Sequence, residues 1–150
     1  MTRRNETVDV NEAAGCVCFN LRKAARAVTQ LYDAALEPSG LRATQFSLLA
    51  TLHFGGPLPV SRLAEAMVMD RTTLTRGLQP LERQGLIAVA EGRDRRTRRV
   101  RLTARGRKRL TRAFPLWRTV QARVTRGLGA ARRGRLLSEL DMAVSAAQGV

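Results

Sequence analysis

The side chains best able to do chemistry in this sequence are arginines, and most of their charge lies in one segment. Between Arg71 and Arg109 stand thirteen basic and three acidic residues, so about a quarter of the chain carries +10 of the total net charge of +15. Guanidinium groups bind phosphate and the edge of guanine through paired hydrogen bonds. Such an excess repels itself in a compact fold, and a polyanion relieves that repulsion. The segment therefore predicts a nucleic-acid partner.

Other classes of function leave no comparable signal. An enzyme would need a nucleophile with its base and acid, a glycine-rich phosphate loop or a cluster of metal ligands, and we find none. One histidine, His53, argues against a metal site, and no cofactor is expected. RNA-binding modules stack bases on aromatic rings, whereas the basic segment contains no aromatic residue. A nonspecific architectural nucleic-acid-binding protein remains an alternative.

The chain also gives an expectation about location. No apolar stretch reaches the length of a membrane span, and the long helices lack the basic amphipathic pattern of a membrane-surface helix. The polar start, Met1 to Glu6, lacks the apolar core of a secretory signal. The protein is therefore expected in the cytoplasm, with its two cysteines reduced unless their oxidation has a function.

Periodicity in the first half predicts helices of two kinds. Residues 1–10 are expected to form a flexible arm, and apolar residues spaced by three and four predict one helix from Asn11 to Glu37. A shorter helix is expected over 43–53. A third helix is expected with Ser61 as its cap, and a fourth begins at Asp70 and ends before Gly85, with Leu74, Leu78 and Leu81 on its inner face. The spacing of these last two is that of a helix-turn-helix.

The second half predicts a β-hairpin followed by helices. Residues 86–91 and 97–102 flank an arginine-rich tip, and Val100 and Leu102 alternate with arginines as in a half-buried strand. Another long helix is expected from Thr103, and a last helix carries apolar residues from Leu136 to Ala147. Pro80 lies late in the fourth helix, where it would affect only the final turn.

These motifs resemble the MarR family of bacterial regulators. The run from Asp70 to Ile87, which reads DRTTLTRGLQPLERQGLI, is followed by an Asp-x-Arg pair at Asp94 and Arg96 and by Leu-Thr-Ala-Arg-Gly ending at Gly106. The order of predicted elements fits the family along nearly the whole chain. The resemblance implies a mostly α fold with a small β-hairpin wing. It further implies a winged helix-turn-helix domain over 41–106 and a helical dimerisation region over 11–37 and 107–150.

The resemblance also implies a function and a set of contacts. The protein would be a homodimer that binds a pseudo-palindromic double-stranded DNA operator, and most family members are repressors. Side chains of the recognition helix would meet bases and phosphates, and the wing would enter the minor groove, with Arg96 inserted and Asp94 orienting it. The predicted DNA-binding residues are Arg71, Thr72, Thr73, Thr75, Arg76, Arg93, Asp94, Arg95 and Arg96.

Regulation is the least determined feature. Family members generally release DNA when a small, often aromatic, effector binds between the dimer helices and the winged domain, and His53 lies near that junction. The run Cys18-Phe-Asn-Leu21 with Tyr32 also resembles the organic-hydroperoxide-sensing branch, in which this cysteine is the reactive thiol. Further tyrosines of that branch are absent here. Cys16 and Cys18 are expected on one helix, pointing to different sides, so a bridge between them is disfavoured. Simple packing of Cys18 beside the apolar stripe remains open.

Overall fold

Six α-helices, one 3-10 turn and three short strands make up residues 14–92 and 97–149, which are the residues that the computed structural model describes. The predicted fold class, mostly helical with a small hairpin wing, is confirmed. The predicted arm over 1–10 and the wing residues Arg93, Asp94, Arg95 and Arg96 lie outside the described residues. The elements are α1 Val17–Leu36, the 3-10 turn Glu37–Ser39, α2 Ala43–Gly55, β1 Leu58–Pro59, α3 Val60–Ala66, α4 Arg71–Arg83, β2 Ile87–Glu91, β3 Arg98–Leu102, α5 Ala104–Leu128 and α6 Ala130–Gln148.

Apolar side chains from α2, α3 and α4, mainly leucines, form about half of the core. Leu49, Leu63 and Leu81 are fully buried, one from each helix. Val100 of β3 and the first half of α5 close the core from the other side. Burial of a leucine side chain contributes about 1.5–3 kcal/mol, so this cluster is the main source of stability of the winged part.

The sheet contains one strand more than the sequence predicted. Its order is β1-β3-β2, with both pairs antiparallel, and Val100 of β3 lies between Leu58 on one side and Val89 on the other. Strand β1 is two residues long. No alternation can appear over two residues, so pattern analysis could not find it.

Two predicted helix starts are wrong. The helix predicted over 11–37 is interrupted at Cys16, whose extended backbone angles (φ −60°, ψ 117°) make it the N-cap residue of α1 at Val17. Ser61 does not cap α3, since that helix begins one residue earlier, at Val60, with Pro59 as the N-cap residue and no side-chain cap. The fixed φ of proline suits a helix entry, and the pairing of β1 with β3 places Pro59 there.

The predictions for α4 and for the start of α5 are confirmed. Asp70 caps α4, Leu74, Leu78 and Leu81 are buried, and Gly85 follows the C-cap with the positive φ of 67° that glycine tolerates. Helix α4 continues through Pro80 to Arg83. Thr103 caps α5, which runs unbroken to Leu128.

Helix α2 receives its cap from a distant residue. Its own N-cap position holds Arg42, whose side chain has no suitable acceptor. Asp33 of α1 supplies one instead, because its Oδ1 accepts the backbone N–H of Ala43 at 2.7 Å. Its Oδ2 lies 3.2 Å from Nη1 of Arg42. The direction of α2 is thereby tied to α1.

Helices α1 and α6 leave large apolar side chains in contact with solvent. Exposed fractions on α1 reach 67% at Val17 and 52% at Phe19, and on α6 Met142 is 55% exposed. Nothing in the described part of α6 is buried. Within the described residues, no helix is both long and apolar enough to cross a membrane.

Candidate nucleic-acid interface

Helix α4 separates its buried and exposed residues cleanly. Leu74, Leu78 and Leu81 face the core, while polar side chains at helical spacing face solvent. The exposed polar residues of this helix are Arg71, Thr72, Thr73, Thr75, Arg76, Gln79, Glu82 and Arg83. Gln79 was not among the predicted contacts. It lies three residues after Arg76 on the same exposed face, so helical spacing would have included it in the prediction.

The start of α4 is held by hydrogen bonds from threonines. Oδ1 of Asp70 accepts the backbone N–H of Thr73 at 2.9 Å, and Oδ2 accepts the Thr73 hydroxyl at 2.5 Å. These bonds from Thr73 hold the pKa of Asp70 below its usual value. The Thr75 hydroxyl donates to the carbonyl of Arg71 at 2.7 Å. Both threonines therefore present a methyl group and hydroxyl lone pairs to an incoming ligand.

The arginines near this helix keep their charge available. Among the residues that the structure describes, ion pairs join Arg42 to Asp33 and Arg62 to Glu65. Arg71 and Arg76 are exposed and form no ion pair with a described acid. Both guanidinium groups are free to bind an anion in solution.

The base of the wing is ordered by arginine and glycine. Nη2 of Arg99 donates to the carbonyl of Pro57 at 2.6 Å, which ties β3 to the segment before β1. Gly92 directly follows β2, and its N–H donates to the carbonyl of Thr97 at 2.5 Å. A Cβ at Gly92 would lie 3.0 Å from that carbonyl oxygen, so glycine permits the close approach. The predicted tip residues Arg93–Arg96 fall between Gly92 and Thr97 in the sequence and lie outside the described residues.

The wing is joined to α4 and α5 through one threonine and one glycine. The Thr103 hydroxyl contacts the carbonyl oxygens of Gly85 and Leu86 at 2.7 and 3.0 Å and accepts the N–H of Gly106 at 2.9 Å. A Cβ at Gly106 would lie 2.0 Å from the Leu86 carbonyl oxygen. The turn that follows α4 and the start of α5 therefore touch backbone to backbone, which fixes the hairpin relative to both helices.

A cavity lies between α2 and α5. Its volume is about 690 Å³. The rings of Phe46 and Phe114 each stack with Trp117, at centroid distances of 5.8 and 5.4 Å. The lining residues are Phe46, Ala50, His53, Phe54, Arg107, Leu110, Thr111, Phe114, Pro115 and Trp117. His53 thus lines a cavity at the predicted junction, and the described residues contain no group of three potential metal ligands.

The two cysteines lie at the start of α1. Both thiols are free and exposed in the single chain. The expectation that both lie on one helix is wrong, because Cys16 has extended backbone angles and precedes it. Tyr32, the other residue of this predicted group, lies further along α1 and donates a hydrogen bond to Oε1 of Gln121. Burial raises the pKa of Tyr32 above its usual value, and the nearby positive charge of Arg133 opposes that rise.

Known proteins share this arrangement of helices and strands over most of the chain. The sequence profile of the MarR family matches residues 41–97. The Mycobacterium tuberculosis transcriptional regulator MosR, solved in complex with DNA, is 46% identical and superposes with a TM-score of 0.79, covering 88% of this chain and 98% of that one. The transcriptional repressor CouR, solved bound to a 23-mer DNA duplex, is 28% identical with a TM-score of 0.80, covering 92% and 99%.

A curated relative gives the same family. An uncharacterised helix-turn-helix transcriptional regulator of Bacillus subtilis, YwoH, is 29% identical over 89 residues, which are 59% of this chain and 65% of that protein. The match thus spans somewhat less than two thirds of the length of this relative. MosR, at 46% identity, is similar over 88% of this chain and nearly the whole of its own. The chain belongs to the MarR family of winged helix-turn-helix transcriptional regulators.

Proposed function

We propose that this protein is a homodimeric regulator that recognises a pseudo-palindromic double-stranded DNA operator and releases it when a small aromatic acid binds. The observation that carries the proposal is the exposed polar face of α4, set on a rigid winged domain within the most basic part of the chain. MosR and CouR, solved with DNA, support a duplex as the partner.

The outward residues of α4 suit the major groove. Arg76 can donate two hydrogen bonds to guanine, and Gln79 can pair with adenine. Thr72 and Thr75 offer methyl groups to thymine and lone pairs to base amino groups. Arg71 and Thr73, at the helix start, lie where contacts to phosphate are common. From the sequence, Arg93, Arg95 and Arg96 supply the minor-groove contacts of the wing, with Asp94 orienting Arg96.

The experiment is a comparison of two duplexes by fluorescence anisotropy. One duplex carries the DNA upstream of the protein's own gene, the other a scrambled sequence of equal length, and salt is varied. A specific regulator prefers its site by about a thousandfold or more at physiological salt. Equal affinity for both duplexes would refute recognition of this upstream DNA and favour a nonspecific architectural protein.

Dimerisation is supported by the exposed apolar side chains of α1 and α6. Leu136 and Leu137 of α6 are 43% and 45% exposed, and Phe19 of α1 is 52% exposed. Large apolar side chains exposed in this number are typical of helices that pack against a partner chain. A dimer would present two copies of α4 to half-sites about one helical turn apart. Light scattering of the wild type tests whether the protein is a dimer. A monomeric Leu137→Glu variant that binds DNA as tightly as the wild type would contradict the need for two copies of α4.

The cavity between α2 and α5 suits a planar aromatic carboxylate. Stacked rings of Phe114 and Trp117 provide a flat apolar wall. Arg107 supplies a permanent cation at the rim; its Nη1 donates to the carbonyl of Leu102 at 3.3 Å, which leaves other N–H groups for a carboxylate. Because α2 belongs to the winged domain and α5 extends beyond it, a ligand between them would change their relative position and the spacing of the two recognition helices.

Trp117 allows this part of the proposal to be tested directly. It is the sole tryptophan, so a ligand stacked against it should change the protein's fluorescence. Benzoate and benzamide differ in charge and little in shape. We expect benzoate to bind more tightly than benzamide, and Arg107→Ala to remove the difference. A preference for benzoate that persists in Arg107→Ala would refute the assigned role of this arginine.

A thiol switch is the second candidate for regulation, favoured by the exposure of Cys18. An organic hydroperoxide would transfer one oxygen to the Cys18 thiolate, giving a sulfenic acid and an alcohol. Loss of DNA binding on peroxide treatment should then disappear in Cys18→Ser and persist in the matched variant Cys16→Ser. Release that is unchanged in Cys18→Ser would remove this candidate.

A further inference from the structure

We propose that a small pocket between the recognition helix and the base of the wing binds one phosphate group of the DNA backbone. The inference deepens the proposed function and rests on it. The pocket has a volume of about 130 Å³. Its lining residues are Pro59, Val60, Ser61, Arg71, Thr97 and Arg98.

The position of the pocket follows from the order of the elements around it. Ser61 belongs to α3, Arg71 is the first residue of α4 and Arg98 is the first residue of β3. A duplex that accepts α4 in its major groove and the hairpin in its minor groove must pass one backbone strand between those two elements. The pocket lies between them, so it is the place where that strand would come closest to the protein.

The charges at the pocket favour an anion. Arg71 and Arg98 are exposed, and neither forms an ion pair with an acidic residue that the structure describes. Glu91 lies opposite Arg98 in the hairpin register without an ion pair between them, and Asp70 directs its carboxylate to Thr73. Two guanidinium groups and the Ser61 hydroxyl are sufficient donors for one phosphate.

The strand register explains why Arg98 belongs to this pocket and its neighbours do not. Side chains alternate along a strand, so Arg98 shares a face with Val100 and Leu102, both of which are buried against the helices. Arg99 and Arg101 point from the opposite face. Arg101 is exposed and carries the same charge on the same strand, which makes it a matched control for Arg98.

The test measures DNA affinity against salt for Arg98→Ala and Arg101→Ala on the upstream and scrambled duplexes. Loss of one phosphate contact should lower affinity for both duplexes by a similar factor, about tenfold at low salt. It should also make the slope of log affinity against log salt less steep by about 0.9. We expect both effects in Arg98→Ala and a smaller change in Arg101→Ala. Arg98→Lys should recover the slope, since it restores the charge.

Three results would overturn the proposal. Equal losses in Arg98→Ala and Arg101→Ala would indicate a diffuse effect of charge. A loss confined to the upstream duplex would indicate base recognition by Arg98. Wild-type affinity and slope in Arg98→Ala would show that no phosphate binds there. Failure of the proposed function is distinct from these, because it appears as equal affinity of the wild type for the two duplexes, while the slope still reports the phosphate contact on either one.

Discussion

Replacement of Gly106 by alanine should destabilise the winged domain markedly. The added Cβ would lie 2.0 Å from the carbonyl oxygen of Leu86 and 2.7 Å from Cδ1 of Leu102. The Leu86 oxygen cannot retreat freely, because it accepts the backbone N–H of Thr103 at 3.1 Å and contacts the Thr103 hydroxyl. Overpacking together with one weakened hydrogen bond costs about 3–4 kcal/mol. The higher helix propensity of alanine offsets about 1 kcal/mol of this cost, so the free energy of unfolding should fall by about 2–3 kcal/mol.

Urea unfolding followed by far-UV circular dichroism measures this loss at one fixed protein concentration, since the apparent stability of an oligomer depends on concentration. Gly77→Ala is the control, because Gly77 lies inside α4 and its added Cβ would have only Leu48 Cδ1 as a neighbour, at 4.0 Å. That variant should gain about 0.5–1 kcal/mol. A Gly106→Ala protein as stable as the wild type would refute the close backbone contact between Leu86 and α5.

Three further predictions concern the helix-turn-helix and the wing. Val68 follows the C-cap residue of α3 with a φ of 51° and is 56% exposed, so Val68→Gly should raise the free energy of unfolding by about 1 kcal/mol; an unchanged value in urea unfolding would argue against strain at this turn. The lowered pKa of Asp70 means that its ionised form stabilises the fold above the unfolded-state pKa and that this contribution is lost as pH falls through the folded-state pKa. Asp70→Asn keeps the cap without that titration, so its melting temperature should fall less than that of the wild type below about pH 4, and identical acid profiles would contradict the prediction. From the sequence alone, Arg96→Ala should weaken operator binding by about 1–3 kcal/mol while melting stays unchanged, and unaltered anisotropy titrations would remove the wing from the mechanism.

Local sequence was sufficient for the elements that carry their own chemistry. The leucines of α4 recur at helical spacing, Asp70 is an acceptor at an N-terminus and Gly85 tolerates a left-handed backbone, so the recognition helix could be placed almost to the residue. Helix α5 begins directly after Thr103, a cap that the sequence marks equally well. These signals involve residues that are close in sequence, so they can be recognised without any knowledge of the fold.

Partners distant in sequence were decided by the tertiary structure. Strand β1 forms only because β3 lies beside it, and two residues leave no local pattern. At the start of α2, Gln45 is a local signal, but the cap of the Ala43 N–H comes from Asp33 of another helix. The motif residue Gly106 was visible in the sequence. Its physical reason is the Leu86 carbonyl oxygen, which lies too close for a Cβ, and this follows from the packing of the turn after α4 against α5. Likewise the phosphate pocket needs Ser61, Arg71 and Arg98 from three separate elements. Periodicity and capping are local interactions and can be predicted from the chain, whereas a site assembled across elements depends on packing that no single segment encodes.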